Sequence, residues 1–366
     1  MKIAHLTSVH RRDDTRILLK ECRSAAQAGH DVVLVVADGR GPDVLHGIAV
    51  VDAGRSSGRS ARVLSATRRV WHKAIEVDAD LYHLHDPELL PVGLGLKRRG
   101  KRVVFDSHED VPRQLLAKHY LPSILRRPVA GVFSAFERCA LPRFDAVVAA
   151  TPTIADRLSR IHPRTVVVNN FPILDELTID DRDPARSEAL ACYVGGLSRD
   201  RGLYEMLDAI ARCRTNARLA LGGPFFPESL GRTLADRPGG ARAEVLGMLD
   251  RSGVRALLAR SIVGLVVLHA TPNHLESQPV KLFEYMSAGL PVIASDFPLW
   301  RRIVDDAGCG LLVDPLDASA IAEAIDRLVS DPHEADRMGR RGREAVAHRY
   351  NWRAEEARLL ELYETL

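Results

Sequence analysis

The chain of 366 residues predicts an α/β protein made of two doubly wound, parallel-sheet domains of Rossmann-like type. Its length exceeds what one ordinary core organises. Short, almost unbroken apolar runs such as DVVLVVA (Asp31–Ala37) alternate with segments of helical spacing, which is the pattern of strands covered on both faces. The alternation breaks once, over residues 169–187, and then resumes. The predicted layout is an N-terminal domain over 1–170, a linker over 171–187, a C-terminal domain over 188–349 and a last helix over 350–366.

Lys2–Leu6 reads as the first strand. The loop SVHRRDD follows, and Asp14 is placed to cap a helix from about Thr15 to Gly29, with Ile17, Leu18, Glu21 and Cys22 at helical spacing. Further strands are predicted at Asp31–Ala37, Gly47–Val51, Leu81–Leu84, Lys101–Phe105, Asp145–Ala149 and Arg164–Val168. Helical spacing occupies Arg59–Val77, the stretch after His85-Asp86-Pro87-Glu88 up to Arg99, the long region Pro112–Pro142, and Thr153–Arg160. The break, NNFPILDELTIDDRDPARS, is rich in Pro, Asp and Arg and has no period, so it reads as a linker. In the second half, strands are predicted at Leu190–Val194, Ala217–Leu221, Ala243–Leu246, Ile262–Leu268, Pro291–Ala294 and Gly310–Val313. Helices are expected after Gly202 to Arg212 and at Val254–Arg260, Ala318–Val329, Pro332–Arg349 and Trp352–Leu366. Ligands of such sheets bind outside the carboxyl ends of the strands, so in a two-domain version both sets of ends can face one cleft.

The composition excludes several classes. An apolar fraction of 46% with 27% charged residues is that of a soluble globular protein. The opening MKIAHLTSVH is not a cleavable signal pattern, and the longest apolar run, near Ile262–Leu268, is far short of a membrane span. Five scattered cysteines form neither a zinc spacing nor a disulfide framework; buried thiols in a reducing cytosol are expected. Residues 1–180 carry 27 basic against 21 acidic side chains and the remainder 24 against 27. The basic N-terminal half is read first as a solvated surface and second as a face for an anionic acceptor or membrane. No nucleic-acid partner is expected. His83 and His85 with Asp86 do not make a metal site, since no second ligand cluster has the right spacing, and no cofactor or metal is expected.

The stretch LESQPVKLFEYMSAGLPVI (residues 275–293) is the predicted functional centre. Pro279 suits a first helical position, Gly289 a left-handed cap, and Pro291 follows as a stop. Leu282, Phe283 and Met286 supply a buried face that Glu284, about two turns in, interrupts. Carboxylates are rarely buried without a partner, so Glu284 needs one. Glu276 lies in the loop ahead of the helix. The helix start at Gln278–Lys281 offers oriented amides, chiefly those of Val280 and Lys281, and the positive end of a helix dipole.

Glu276 and Glu284, separated by seven residues and followed by GLPVIAS, resemble the signature of the retaining glycosyltransferases of family 4, whose fold is GT-B. DTRILLKECRSAAQAGHDVVLV, YVGGLSRDRGLYEMLDAI and the final NWRAEEARLLELYETL are similar to the family's first helix and strand, its entry to the C-terminal domain, and its helix returning to the first domain. The resemblance implies a nucleoside-diphosphate sugar on the C-terminal domain, an acceptor on the N-terminal domain, retention of configuration and no required metal. It implies catalytic roles for His108 (in SHED), Glu276 and Arg201. It places Glu284 on the ribose and Lys281, Val280, Gly196 and Arg199 at the donor. The base would lie along Gly247, Met248 and Leu249. Arg11, Arg12, Asp13 and His85 are acceptor-side candidates.

The chain departs from the family pattern at Gly196, where an arginine is common; Arg199 or Lys281 would replace that charge. The first loop lacks the paired glycines. Bland alternatives stay open: an internal arginine on Glu284, an exposed Glu276, a His108 bonded to neighbouring carboxylates, a solvated Lys281. LPSILRRPVAGVF (Leu121–Phe133) reads as an ordinary amphipathic helix, or else as a membrane-surface helix for a lipid-linked acceptor. The implied function is a cytosolic glycosyltransferase, at or away from the inner membrane face, acting on a glycan, lipid-linked or small-molecule acceptor in polysaccharide, glycolipid or other glycoconjugate synthesis. Its rivals are a natural-product transferase, a nucleotide-sugar epimerase of the same fold and a non-catalytic nucleotide-sugar-binding subunit.

Overall fold

The computed structural model describes residues 1–55, 65–117, 122–174, 176, 177, 179, 188–234 and 236–366. They form two compact units: Met1–Asn170 with Trp352–Leu366, and Phe171–Asn351.

In unit 1, β1 (Lys2–Leu6), β2 (Asp31–Val36), β3 (Asp43–Leu45), β4 (Ile48–Asp52), β5 (Leu81–Leu84), β6 (Arg102–Ser107), β7 (Ala146–Ala149) and β8 (Thr165–Val167) build one sheet in the order β3-β4-β2-β1-β5-β6-β7-β8. All neighbours run parallel except the β3–β4 hairpin. The strands are apolar on both faces because helices cover both. The strand order reverses between β1 and β5, whose register pairs His5 with His83. The C-terminal helix Trp352–Glu364 packs on this unit: the Trp352 indole donates to Ser24 Oγ at 2.9 Å, and Glu355 Oε2 accepts the Asn169 amide at 2.8 Å.

In unit 2, β9 (Leu190–Val194), β10 (Arg218–Gly222), β11 (Ala243–Gly247), β12 (Val263–Val266), β13 (Val292–Ser295) and β14 (Gly310–Val313) form an all-parallel sheet in the order β11-β10-β9-β12-β13-β14. Its reversal lies between β9 and β12. One apolar core lies on each face.

Several expectations need correction. The short β3 was not foreseen: two of its three residues are exposed, so it has no apolar run, and it is held by a His46-Gly47 turn with φ of 51° and 79°. The helix Pro298–Ala307 was also missed, although Pro298 and the left-handed Gly308 are its start and stop signals. The helix expected from Thr15 is a π-turn, Ile17–Cys22, running into an α-helix, Arg23–Gln27. Asp14 does cap it: Oδ1 accepts the amides of Arg16 and Ile17 at 2.9 and 3.0 Å. The helix expected at Arg59–Val77 is seen as Thr67–Val77, residues 59–64 lying outside the described ones. The long helical region is Val111–Ala117 and Ser123–Ala140, with residues 118–121 outside the description. The expected linker starts inside unit 2, where Phe171 and Leu177 are core residues; 175, 178 and 180–187 lie outside the described residues.

Candidate functional site

Unit 2 concentrates charge at the carboxyl end of its sheet. β9 runs into Gly195-Gly196, which leads to a 3-10 turn, Arg199–Arg201, and then the helix Leu203–Arg212. Here glycine is a steric requirement. A Cβ on Gly223, at φ 141°, would sit 2.0 Å from the Gly195 carbonyl oxygen, and one on Gly202 would sit 2.1 Å from that of Val267. The backbones at the ends of β9 and β10 therefore approach closely, and Gly195 N–H donates to Gly222 O at 2.8 Å.

The helix Val280–Ser287 faces this loop. Pro279 is its N-cap, with φ −67° and ψ 123°, rather than its first residue, and supplies no side-chain cap. The helix ends as expected: Gly289 (φ 71°) donates to Met286 O at 3.0 Å and Leu290 to Tyr285 O at 2.9 Å, a Schellman closure. Glu284 is the fifth residue, little more than one turn in, not two.

Lys281 is the most unusual side chain of the set. Its Nζ is buried and has no hydrogen-bond partner. It lies 3.5 Å from the centroid of the Tyr193 ring. A Cβ built on Gly195 would come 2.9 Å from Lys281 Nζ and 3.9 Å from Arg201 Nη1. Among the described residues neither cation has a carboxylate within ion-pair distance. Burial, and then the Arg201 charge, push the Lys281 ammonium well below the usual lysine range. Two adjacent cations without a counter-ion, beside an uncapped helix start and a glycine loop, make an anion site. Lys281 is thus not a solvated side chain.

Arg199 is not part of this group: it is exposed and stacks 5.1 Å over Tyr204. Between the two residues expected to replace the charge missing at Gly196, the geometry selects Lys281. Gly196 itself has little spare room, since a Cβ there would lie 3.2 Å from both Arg201 Nη1 and the Phe226 ring.

Glu284 is buried, and its partner is the internal arginine of the bland alternative. Arg251 Nη1 donates to Glu284 Oε1 at 2.7 Å, while its Nε and Nη2 hold Glu176 at 2.8 and 2.9 Å. Glu276 is half-buried at the end of the short helix Pro272–Leu275. That loop is fixed by Trp300, whose indole donates to Ser277 O at 2.7 Å, and by His274 Nδ1, 3.0 Å from His269 O. Gly247 closes β11 with φ 65°, Met248 is 64% exposed, and Leu249 packs beneath against Gly222. An exposed thioether beside open backbone at a sheet's carboxyl end suits a flat aromatic ligand.

In unit 1, His108 follows β6 and its Nε2 is 2.9 Å from Asp106 Oδ2, so it is bonded to a neighbouring carboxylate. Asp106 is fully buried and held by Arg16 through Nε (2.8 Å) and Nη2 (2.9 Å). Burial opposes its charge, but Arg16 and His108 outweigh that and hold the carboxyl well below its usual range. His85 is buried, with Nδ1 3.3 Å from His108 Nε2. Asp86 Oδ2 accepts Thr7 Oγ1 at 2.8 Å and the Ser8 amide at 2.6 Å and so clamps the loop after β1. Arg12 is buried and spent on Asp38 (2.7 and 2.8 Å), Asp43 (3.0 Å) and Gly41 O, which removes it from the acceptor-side candidates. Arg11 and Asp13 pair with each other at the surface. Arg16, Asp106, Glu21, Tyr193 and Arg251 were not among the predicted site residues. For Arg16, Glu21 and Asp106 the available signal was a charged residue set within or beside an apolar run; Tyr193 and Arg251 carried no such signal.

Comparison with known proteins gives a consistent picture. Residues 177–345 match the family described as Glycosyl transferases group 1, and residues 15–173 match Glycosyltransferase Family 4. Phosphatidyl-myo-inositol mannosyltransferase of Mycobacterium leprae is 25% identical over 348 residues, covering 89% of this chain and 86% of that protein. Alpha-maltose-1-phosphate synthase of Mycolicibacterium smegmatis is 27% identical over 260 residues, covering 63% and 66%. Sucrose-phosphate synthase from Thermosynechococcus elongatus shares the fold with a TM-score of 0.80 at 21% identity, covering 100% of this chain and 98% of that one. Anabaena Alr3699/HepE, solved with UDP-glucose, does so at 0.76 and 17%, covering 100% of both.

Proposed function

This chain belongs to the glycosyltransferases that join a family 4 domain to a group 1 domain in the GT-B fold, and from that premise we propose a retaining transfer from a nucleoside-diphosphate sugar that needs no metal at the diphosphate. The observation that carries the reading is the uncompensated Lys281–Arg201 pair at the start of the helix Val280–Ser287. Two fixed cations and the free amides of Val280 and Lys281 supply the charge that a divalent ion would otherwise bring to a leaving diphosphate. Glu284, oriented by Arg251, accepts the ribose hydroxyls. Gly247, Met248 and Leu249 support the base. Glu276 lies by the sugar and its developing positive charge. In unit 1, His108, aligned by Asp106, is the group assigned to the reaction. A front-face course, in which the departing phosphate takes the acceptor proton, asks for no base dyad.

The mannosyltransferase and maltose-1-phosphate synthase relatives support a hexose donor, and the neighbour solved with UDP-glucose makes a UDP-sugar the first one to test. The acceptor class is a glycan, a lipid-linked sugar or a small molecule. A membrane-held acceptor is supported by the helix Ser123–Ala140, which exposes Ile124 (80%), Leu125, Val129 and Val132 (72%) beside Arg127. No helix among the described residues is long and apolar enough to cross a membrane. The test is to incubate the desalted enzyme with donor and acceptor, with and without added Mg2+ or Mn2+, and read the product anomer by proton NMR. Retained configuration at a rate independent of either added ion supports the reading; inversion, or turnover that requires either ion, overturns it.

A further inference from the structure

The reversal point of the unit 1 sheet gathers four side chains that transfer chemistry does not use. β1 and β5 are paired so that His5 lies opposite His83, and His85 follows two residues later on the same face. Glu21 reaches this face from the π-turn Ile17–Cys22. His5, Glu21 and His83 have no exposed surface and His85 has 2%. One ligand atom from each lies within 4.8 Å of all the others.

The Glu21 distances are too long for hydrogen bonds and too short for independent groups, and the one hydrogen-bond contact within the cluster joins His5 to His85. Glu21 Oε2 is 3.9 Å from His5 Nδ1, 3.8 Å from His83 Nδ1 and 3.8 Å from His85 Nε2, while His5 Nδ1 and His85 Nε2 are 2.9 Å apart. A tetrahedral ion with bonds of about 2.0–2.1 Å separates its ligand atoms by about 3.3 Å, inside this spread. Both oxygens of Glu21, His5 Nε2 and His83 Nε2 have no hydrogen-bond partner. The carboxyl groups are also crowded. Two buried carboxylates, Glu21 and Asp106, share one guanidinium, with Arg16 Nε 3.0 Å from Glu21 Oε1 and 2.8 Å from Asp106 Oδ2.

We propose that His5, Glu21, His83 and His85 bind one divalent metal ion of the zinc class. Three imidazoles with one carboxylate suit a borderline-soft cation, not magnesium or calcium. Tyr363 Oη, 2.6 Å from His83 Nδ1, orients that ring from the C-terminal helix; His83 presents to the ion either that nitrogen or its unpartnered Nε2. The site is closed by four protein ligands and is structural: it ties β1, β5 and the first helix together, and His85 in turn abuts His108. It belongs to unit 1, whereas the charge of the diphosphate site comes from unit 2. His85 is then a ligand and no longer an acceptor-side candidate.

The test uses the full chain, made without a histidine tag in zinc-supplemented medium and dialysed against a weak chelator. Elemental analysis is expected to find one zinc per chain, and X-ray absorption to show first-shell nitrogen and oxygen with imidazole scattering. Chelator-stripped protein given cobalt is expected to show the intense visible bands of four-coordinate Co(II). The double variant Glu21→Gln, His5→Gln should lose the ion. If it does not fold, the wild-type spectra still decide. Wild type with less than ~0.1 ion per chain and no cobalt spectrum, or a double variant that keeps its zinc, overturns the proposal.

Discussion

Replacing Lys281 with methionine separates binding from folding in a way few surface changes do. Methionine keeps most of the volume and loses the charge. In wild type the ammonium is buried, has no acceptor, sits 3.5 Å over Tyr193 and neighbours Arg201. The Tyr193 face offsets only part of the cost of burying this charge until an anion arrives. Each charge-assisted hydrogen bond to an ionised group contributes about 1.5–3 kcal/mol, so loss of one weakens nucleoside-diphosphate binding roughly 12- to 160-fold. Stability should move the other way. Because the folded pKa of Lys281 lies below the unfolded value, the unfolded chain holds more protons between the two. The free wild type thus gains stability as pH rises through that window toward about 10.4, and the penalty is fully present below it. The methionine variant should be at least as stable as wild type at neutral pH and lack this rise. Titration calorimetry with UDP, GDP and dTDP, alongside urea unfolding at several pH values, reads both quantities. Unchanged affinity, or a variant destabilised at neutral pH, would refute the reasoning.

Other expectations follow from single contacts. Wild type should prefer UDP to 2′-deoxy-UDP by about tenfold, one ribose hydrogen bond, and Glu284→Ala should abolish the preference in competition binding. Arg16→Met should cost about 3–5 kcal/mol in denaturant unfolding because it strands Asp106 and Glu21 in the interior; a loss under 1 kcal/mol would mean the network is hydrated. For His10, burial opposes the charge, but Asp14 and Asp86 outweigh it and raise the imidazole to about 9. Its stabilisation is fully present below about 6.5 and is lost as pH rises through 9. His10→Gln should therefore flatten the fall in stability between those values, which thermal melts across the range will show. Ile124→Ser with Val132→Ser should reduce co-sedimentation with anionic vesicles and leave the fold intact, as both side chains are exposed.

How much of this could be read from the residues varies with the scale of the interaction. Strands such as β2 and β9 declare themselves as apolar runs because both faces are covered. β3 does not, because an exposed edge strand buries nothing. The helix Val280–Ser287 was legible from its proline and glycine, and Glu284 from its place on an apolar face. Its partner was not, because Arg251 meets Glu284 only through the tertiary packing. Likewise, sequence offered Arg199 and Lys281 as equals. Only the backbone path of Gly195 decides between them, leaving Arg199 on Tyr204. The His5–Glu21–His83–His85 cluster was hidden most completely. Its members are scattered along the chain, and nothing short of the β1–β5 register brings them together. The rejection of His83 and His85 as metal ligands came from local spacing, which cannot see residues that only the sheet register brings together.

The central claim is that unit 2 clamps a nucleoside diphosphate with Lys281, Arg201 and Glu284. A thermal-shift panel of UDP-, GDP-, ADP- and dTDP-sugars on wild type and on Lys281→Met tests it most directly. One nucleotide series should raise the melting temperature of wild type in proportion to the logarithm of its concentration, and the methionine variant should need at least tenfold more ligand for the same rise. No stabilisation of wild type by any series, or equal stabilisation of both proteins, would contradict it.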